Sequence, residues 1–268
     1  MERLYPDSGH TAYMPQLTDP HEIRRLLRRD PIWSVYALGD LAAPMFPNTR
    51  WFTPDVTLVL HAFGTNILFA DGTGSVREAL DHVSWPVHVQ VREDALAEIE
   101  RNAVVENRRQ MWRMAWNGRS VAGGTEVPSL RFADQARRLG AADVPALQRL
   151  YGDGRATGEA PDFFYPSMVT DGVFFGVYEE GVLAAAAGTH LFAPEEDAVA
   201  IGNIYTMRER RGRGLGRLVT TAVIEAVKHI GTVGLNVRAD NPAALHLYES
   251  LGFVRHCPFY EGQATGRR

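Results

Sequence analysis

A strand-like run, "AVAIGNIYTM" (198–207), is joined to an apolar-periodic run, "LGRLVTTAVIEAV" (215–227), by "RERRGRG". Glycines fall at 212, 214 and 216 and arginines at 210, 211 and 213. Glycine costs backbone entropy and favours neither neighbouring element. So much of it in one place implies a turn that takes positive φ or lets a ligand reach the main chain. A strand feeding such a turn into a helix aims free amides and the positive end of the helix dipole at one point. Arginines add charge around it. The chemistry is that of a pyrophosphate cradle, in which each hydrogen bond to a charged oxygen contributes about 1.5–3 kcal/mol.

The surrounding pattern sets the fold class. Downstream of residue 130 the chain reads as a short strand and a helix ("QARRLGAADVPALQRLY"), with Asp143 leading in and Pro145 in the first turn. A short helix is expected near 161–170. Two strands follow, joined by Glu179-Glu180-Gly181, then the strand before the loop. On the helix beyond the loop, Leu215, Leu218, Val219, Ala222 and Ala226 share a face. "VGLNVRA" is a strand, "NPAALHLYESLG" a helix capped by Asn241 with Pro242 first, and "FVRHCPFYEG" a last strand. This order predicts an α/β protein with a mixed central sheet flanked by helices.

Upstream, "DPHEIRRLL" and "DPIWSVYALGDL" read as helices entered through Asp-Pro. "DVTLVLHAF", "NILFAD", "PVHVQV" and "RQMWRMAW" read as strands, and "SVREALDHV" and "DALAEIERNAV" as helices, Ser75 capping the former. "NGRSVAGGTEVPS", rich in Gly and Ser, marks a boundary near 117–129. The expected division is 1–125 and 126–268.

Composition excludes several classes. The chain has 268 residues, is 45% hydrophobic and 22% charged, and carries a formal net charge of −4, against a general nucleic-acid binder. Its single cysteine, Cys257, forms no internal disulfide, and no Cys/His cluster has zinc spacing. Cys257 is expected to be a small apolar filler. The start, "MERLYPDSGH", lacks a secretory h-region, and no apolar run approaches the roughly 20 residues of a membrane span. A cytoplasmic protein without a membrane or nucleic-acid partner is expected; its oligomeric state, a homodimer included, is left open.

Spacing decides which cradle is present. No Gly-Lys-Ser/Thr ends the loop, so it is not a Walker loop. Counting G-x-G-x-x-G from Gly212 or Gly214 reaches Arg217 or Val219, so it is not a dinucleotide fingerprint either. The pattern that fits is R-x-x-G-x-G at Arg211, Gly214 and Gly216. It resembles the acyl-coenzyme A loop of the GCN5-related N-acetyltransferases (GNATs). "LNVRADNPAALHLYESLGFV" resembles that family's next strand and helix, including N-x-x-A-x-x-L-Y-x-x-x-G-F from Asn241 to Phe253. With the strand order, the resemblance covers roughly residues 130–262, in the style of the FR47-like and glycine N-acyltransferase-type branch.

The resemblance implies a direct acyl transfer from acetyl-CoA, the acyl-donor cosubstrate, to an amine of a small molecule or peptide. It implies that main-chain groups of Ile204, Tyr205 and Thr206 pair with the pantetheine arm. Arg211, Gly212, Arg213, Gly214, Leu215, Gly216 and Arg217 would hold the pyrophosphate, and Asn241 would touch the donor near the pantetheine. Tyr248 would protonate the departing thiolate. Without the resemblance, Tyr248 reads as a half-buried core tyrosine and Asn241 as a pure cap. His190 reads as a packed strand residue.

One position departs from some branches of the family. Where those carry a glutamate before the Asn-capped helix, this chain has Asn236. A lysine ammonium is only about a thousandth neutral near pH 7.4, so a base matters; an α-amine needs less help. Water at Asn203, or the carboxylate of Asp197 or Glu261, is open for the role. Residues 1–125 hold no R-x-x-G-x-G and suggest a degenerate copy of the same fold. Their aromatic residues, including Trp33, Tyr36, Trp51, Trp85, Trp112 and Trp116, are expected to form a core and one wall of the amine site. The rival functions are a catalytically idle CoA-binding regulatory module and a nucleotide-phosphate binder.

Overall fold

The computed structural model describes residues 16–62, 64–118 and 136–268. The stretch expected as a domain boundary lies largely outside them. β1 (Gln16–Leu17) leads to α1 (Pro20–Leu27). Asp19 caps α1 by accepting the His21 amide at 2.9 Å, with Pro20 in the first turn. The helix expected from Asp30-Pro31 does not start there. Asp30 accepts the Trp33 amide at 3.0 Å and pairs with Arg92 and His256. Residues 28–34 therefore turn, and α2 is confined to Val35–Gly39. The turn places Trp33 in the core against Phe69 and Phe259.

β2 (Thr49–Phe52), β3 (Thr57–Ala62) and β4 (Thr65–Ala70) run antiparallel. α3 (Val76–Ala79) crosses to β5 (Val87–Val91), parallel to β4, and α4 (Glu93–Asn102) leads into β6 (Ala103–Trp116). Ser75 precedes α3 but does not cap it with its side chain; its hydroxyl is hydrogen-bonded to that of Thr57 at 2.8 Å. The second half comprises β7 (Arg137–Arg138), α5 (Val144–Arg155), α6 (Pro166–Asp171), β8 (Phe174–Glu179) and β9 (Val182–Ala193). β10 (Ala198–Thr206), α7 (Leu215–Val227), β11 (Thr232–Arg238), α8 (Pro242–Ser250) and β12 (Phe253–Arg267) follow. The β8–β9 turn puts Glu180 and Gly181 at φ 53° and 78°, the left-handed pair that suits a tight hairpin.

Among the described residues all strands join one sheet, in the order β1-β2-β3-β4-β5-β12-β6-β11-β10-β9-β8-β7. The middle of that order is crossed over. β6, from the first half, borders β11 of the second; β12, the last strand, borders β5 of the first. β6 and β12 then pair with each other from Phe253↔Trp116 to Arg267↔Ala103. Each half thus lends its final long strand to the other's sheet.

Alternation along these two strands feeds three cores at once. β6 gives Met114 to the core under α7 and α8, Met111 to the core under α1 and α2, and Ala103 to the core under α3 and α4. β12 gives Phe253, Phe259 and Ala264 to the same three. α5 and α6 cover a fourth core around Tyr151, Phe174 and Tyr205. Among the described residues no helix is long and apolar enough to cross a membrane.

Candidate active site

β10 and β11 pair in parallel only from Ala198↔Thr232 to Ile201↔Leu235. Beyond that point β10 stays with β9 as far as Thr206↔Ala185, while β11 stays with β6 as far as Arg238↔Met111. The strands diverge, and a wedge opens through the sheet with Ile204, Tyr205 and Thr206 along one edge. A bulge starts the divergence: the β10–β9 register shifts between Gly202 and Tyr205, and Asn203 sits at φ 51°. The Tyr151 hydroxyl donates to the Asn203 carbonyl at 2.8 Å and holds the bulge in place.

The glycine-arginine loop lies at the mouth of this wedge. Gly212 and Gly214 take φ 77° and 78°, and Gly214 is the residue ahead of α7 with no side chain to cap it. A β-carbon at either would meet nothing within 4 Å, so these positions need glycine for conformation and not for room. Gly216 differs: a β-carbon there would lie 3.3 Å from Thr206 Oγ1. The first turn of α7 therefore lies beside the end of β10, with open space on the β-carbon side of Gly212 and Gly214.

The arginines are tied to carboxylates around that space. Arg211 donates to the Thr206 carbonyl at 3.2 Å and pairs with Glu159 at 2.9 Å. Arg213 and Arg210 share Glu179, and Arg217 donates to Ser250 Oγ at 2.6 Å. Leu215 turns inward as the first residue of the α7 core face.

On α8, Asn241 is the cap: its Oδ1 accepts the Ala244 amide at 3.1 Å. Tyr248, two turns on, is buried at 7% exposure with its ring edge-on to Phe253. Burial pushes its hydroxyl well above the usual tyrosine range, and the hydroxyl makes no hydrogen bond among the described residues. α7 and α8 share one core, so loop and tyrosine belong to the same face of the sheet.

The opposite face carries the carboxylate that position 236 lacks. Leu235 and Val237 point into the α7–α8 core, so Asn236 between them points the other way. Its Nδ2 donates to Glu261 Oε1 at 3.4 Å, and Gln90 Nε2 donates to the same oxygen at 3.3 Å. Glu261 stands on β12, reached across β6. Desolvation pushes its carboxyl up to about 7, opposed by the positive charge of Arg113. Arg113 is fully buried; its guanidinium lies over the rings of Tyr36, Trp33 and Phe259, and among the described residues its three side-chain nitrogens make no hydrogen bond.

The other two candidates for the base are placed differently. Asp197 is at the start of β10, far from the loop, and accepts the Gly231 amide at 2.6 Å. Asn203 is buried in the bulge with its Nδ2 against Met168 Sδ at 3.5 Å. The sequence named Glu261 without separating it from these two, because nothing local says that β12 lies within reach of β11.

Next to Glu261 a cavity of about 240 Å³ opens between the two halves. Gln90 lines it, with Tyr36 of α2 and Asp40 directly after it, Leu58 and Leu60 of β3, and His190 and Leu191 of β9. His190 is a packed strand residue, 3.3 Å from the Tyr36 hydroxyl, and burial lowers its pKa to about 4. Cys257 is half-buried against the α1–α2 core, and burial raises its thiol.

Residues 144–253 match the family described as Acetyltransferase (GNAT) family. A mycothiol acetyltransferase of Rhodococcus erythropolis is 44% identical over 72 residues, which are 25% of this chain and 24% of that protein. The match therefore spans about a quarter of that relative's length. A putative GNAT-family acetyltransferase of Novosphingobium aromaticivorans superposes with TM-score 0.59 at 22% identity, over 88% of this chain and 96% of that one. A Drosophila protein superposes with TM-score 0.68 at 14% identity, over 94% and 98%. The last two share the fold across nearly the whole chain, both halves included.

Proposed function

We propose, from the match of residues 144–253 to the GNAT acetyltransferase family, that this chain is a member of it and transfers the acyl group of acetyl-CoA directly to an amine. The observation that carries this reading is the divergence of β10 from β11 directly ahead of a turn with two left-handed glycines. An unpaired strand edge suits an extended pantetheine, which pairs with it as an added strand would, through Ile204, Tyr205 and Thr206. The amides from Gly212 to Arg217 suit the pyrophosphate.

The chain's residues then divide the proton work between the two faces of the sheet. On one face Glu261, with a pKa of about 7, takes a proton from the incoming nitrogen. That nitrogen forms a bond to the thioester carbonyl carbon, and the carbon–sulfur bond breaks. On the other face Tyr248, protonated at any physiological pH, supplies a proton to the leaving sulfur. The acceptor is a small molecule or peptide amine. The name of the mycothiol acetyltransferase does not supply the acceptor, because the family match begins at residue 144 while half of the cavity wall comes from residues 36–90.

The test is calorimetry with acetyl-CoA, followed by free-thiol release across an amine panel. We expect acetyl-CoA to bind, ATP not to bind, and thiol release to depend on amine. Binding without any amine-dependent release would leave a CoA-binding module. Failure to bind would remove the reading altogether.

A further inference from the structure

The cavity beside Glu261 has an electrostatic character that the transfer chemistry does not require. Its walls are chiefly apolar: Leu58, Leu60, Ile67, Phe69, Leu191 and Phe192. Among the described residues no lysine or arginine lines it. The charged side chains that do are Asp40 and Asp171. Asp171 is exposed and accepts the Thr170 hydroxyl at 2.9 Å. Asp40 is different. It follows the last residue of α2, its amide is spent on the carbonyls of Leu38 and Tyr36, and its carboxyl has no hydrogen bond or ion pair among the described residues.

An ionised carboxylate facing an apolar cavity is unfavourable unless a counter-charge meets it. Among the described residues the protein supplies none, and desolvation pushes the Asp40 carboxyl up to about 7. His190 across the cavity is held neutral, so it does not supply the charge either. A guest with a positive nitrogen would offset that cost, and its hydrocarbon portion would cover the leucine, isoleucine and phenylalanine walls.

We propose that this cavity is the acceptor pocket and that it selects lipophilic amines in their cationic form, with Asp40 as the residue that reads the charge. The assignment of the cavity to the acceptor rests on the function proposed above, through the contact of Gln90 with Glu261. The selection for an apolar cation rests on the cavity itself. Of two groups of equal size, the cavity accepts the ammonium and rejects the carboxylate, and a neutral alcohol falls between.

The probes are hexylamine, hexanol and hexanoate, titrated calorimetrically into the full chain without acetyl-CoA. Hexylamine is expected to bind at least tenfold more tightly than hexanol, and hexanoate not at all. In Asp40→Asn the advantage of hexylamine over hexanol should disappear while hexanol binding stays. In Leu60→Trp, which fills the cavity, binding of both hexylamine and hexanol should be lost. Acetyl-CoA binding, titrated separately, should persist in both variants and shows that they are folded. Equal affinity for amine and alcohol in the unaltered protein, or an undiminished preference in Asp40→Asn, overturns the proposal. If hexylamine binds as expected but acetyl-CoA never does, the selection stands and the catalytic reading fails. If acetyl-CoA binds and hexylamine does not, the reverse holds.

Discussion

At the scale of single residues, Glu261 and Arg113 make a linked prediction. A base is competent only when deprotonated, so with a carboxyl at about 7 activity should fall as pH drops through 7. Five groups act on that carboxyl: Asn236 and Gln90 by hydrogen bonds, Arg113 and Arg109 as positive charges that lower its pKa, and Asp162 as a negative charge that raises it. Removing the buried positive charge must move the pKa up. In Arg113→Met the acid limb of kcat/KM should therefore shift to higher pH. Because no hydrogen bond is lost at Arg113, Tm should change by only a few degrees. In Glu261→Gln the limb should vanish and kcat/KM should fall roughly 10²–10⁴-fold. A limb that stays near 7 in that variant assigns the base elsewhere. Tyr248→Phe keeps the ring against Phe253 but removes the proton, so kcat should drop roughly 10²–10⁴-fold with acetyl-CoA binding unchanged. Activity within twofold of the unaltered enzyme returns Tyr248 to a packing role.

At the scale of elements, the loop makes a sharper prediction than crowding would. Gly214 sits at φ 78° with nothing in the way of a β-carbon, so Gly214→Val acts through backbone conformation. A left-handed β-branched residue costs roughly 1–2 kcal/mol, enough to lower Tm by several degrees and to turn the first α7 amides aside. The rise in Tm on adding acetyl-CoA should be lost; an undiminished rise places the cradle elsewhere. This element was legible in the sequence because strand alternation, glycine and helix periodicity are all local signals. So were the β8–β9 hairpin and the Asn241 cap. Asp30-Pro31 misled because it carries the same local signal as Asp19-Pro20, yet Arg92, just ahead of α4, and His256 of β12 recruit Asp30 from far along the chain. Ser75 looked like a cap and was taken by Thr57. Local rules lose where a distant partner competes for the same oxygen.

At the scale of the whole molecule, what the sequence concealed was adjacency. The sequence marks 253–262 as a strand and says nothing of its neighbours, so the link from Asn236 to Glu261 came only with the sheet order. We propose that residues 1–125 and 126–268 are halves of one folding unit. A fragment of residues 126–268 lacks β6 and leaves β11 and β12 without their common partner. It also loses Met111 and Met114 from two cores, at about 1.5–3 kcal/mol each. Against a total stability of roughly 5–15 kcal/mol, that loss and the broken ladder should leave the fragment aggregated or molten. Size-exclusion chromatography and near-UV dichroism would show it; a monomeric fragment with native dichroism and transferase activity would separate the halves after all.

The exchange of final strands also sets a timetable. A chain emerging from the ribosome can lay down β1 to β5 early, but β5 has no partner on its far side until residues 253–267 have been made. Until then an apolar strand edge built from Val87, Val89 and Val91 stands open, the kind of edge on which nascent chains stick to one another. The face with the proposed base waits on the same event, since Glu261 arrives with the strand that closes the sheet. Closing the first half and delivering the proposed base are a single step of assembly.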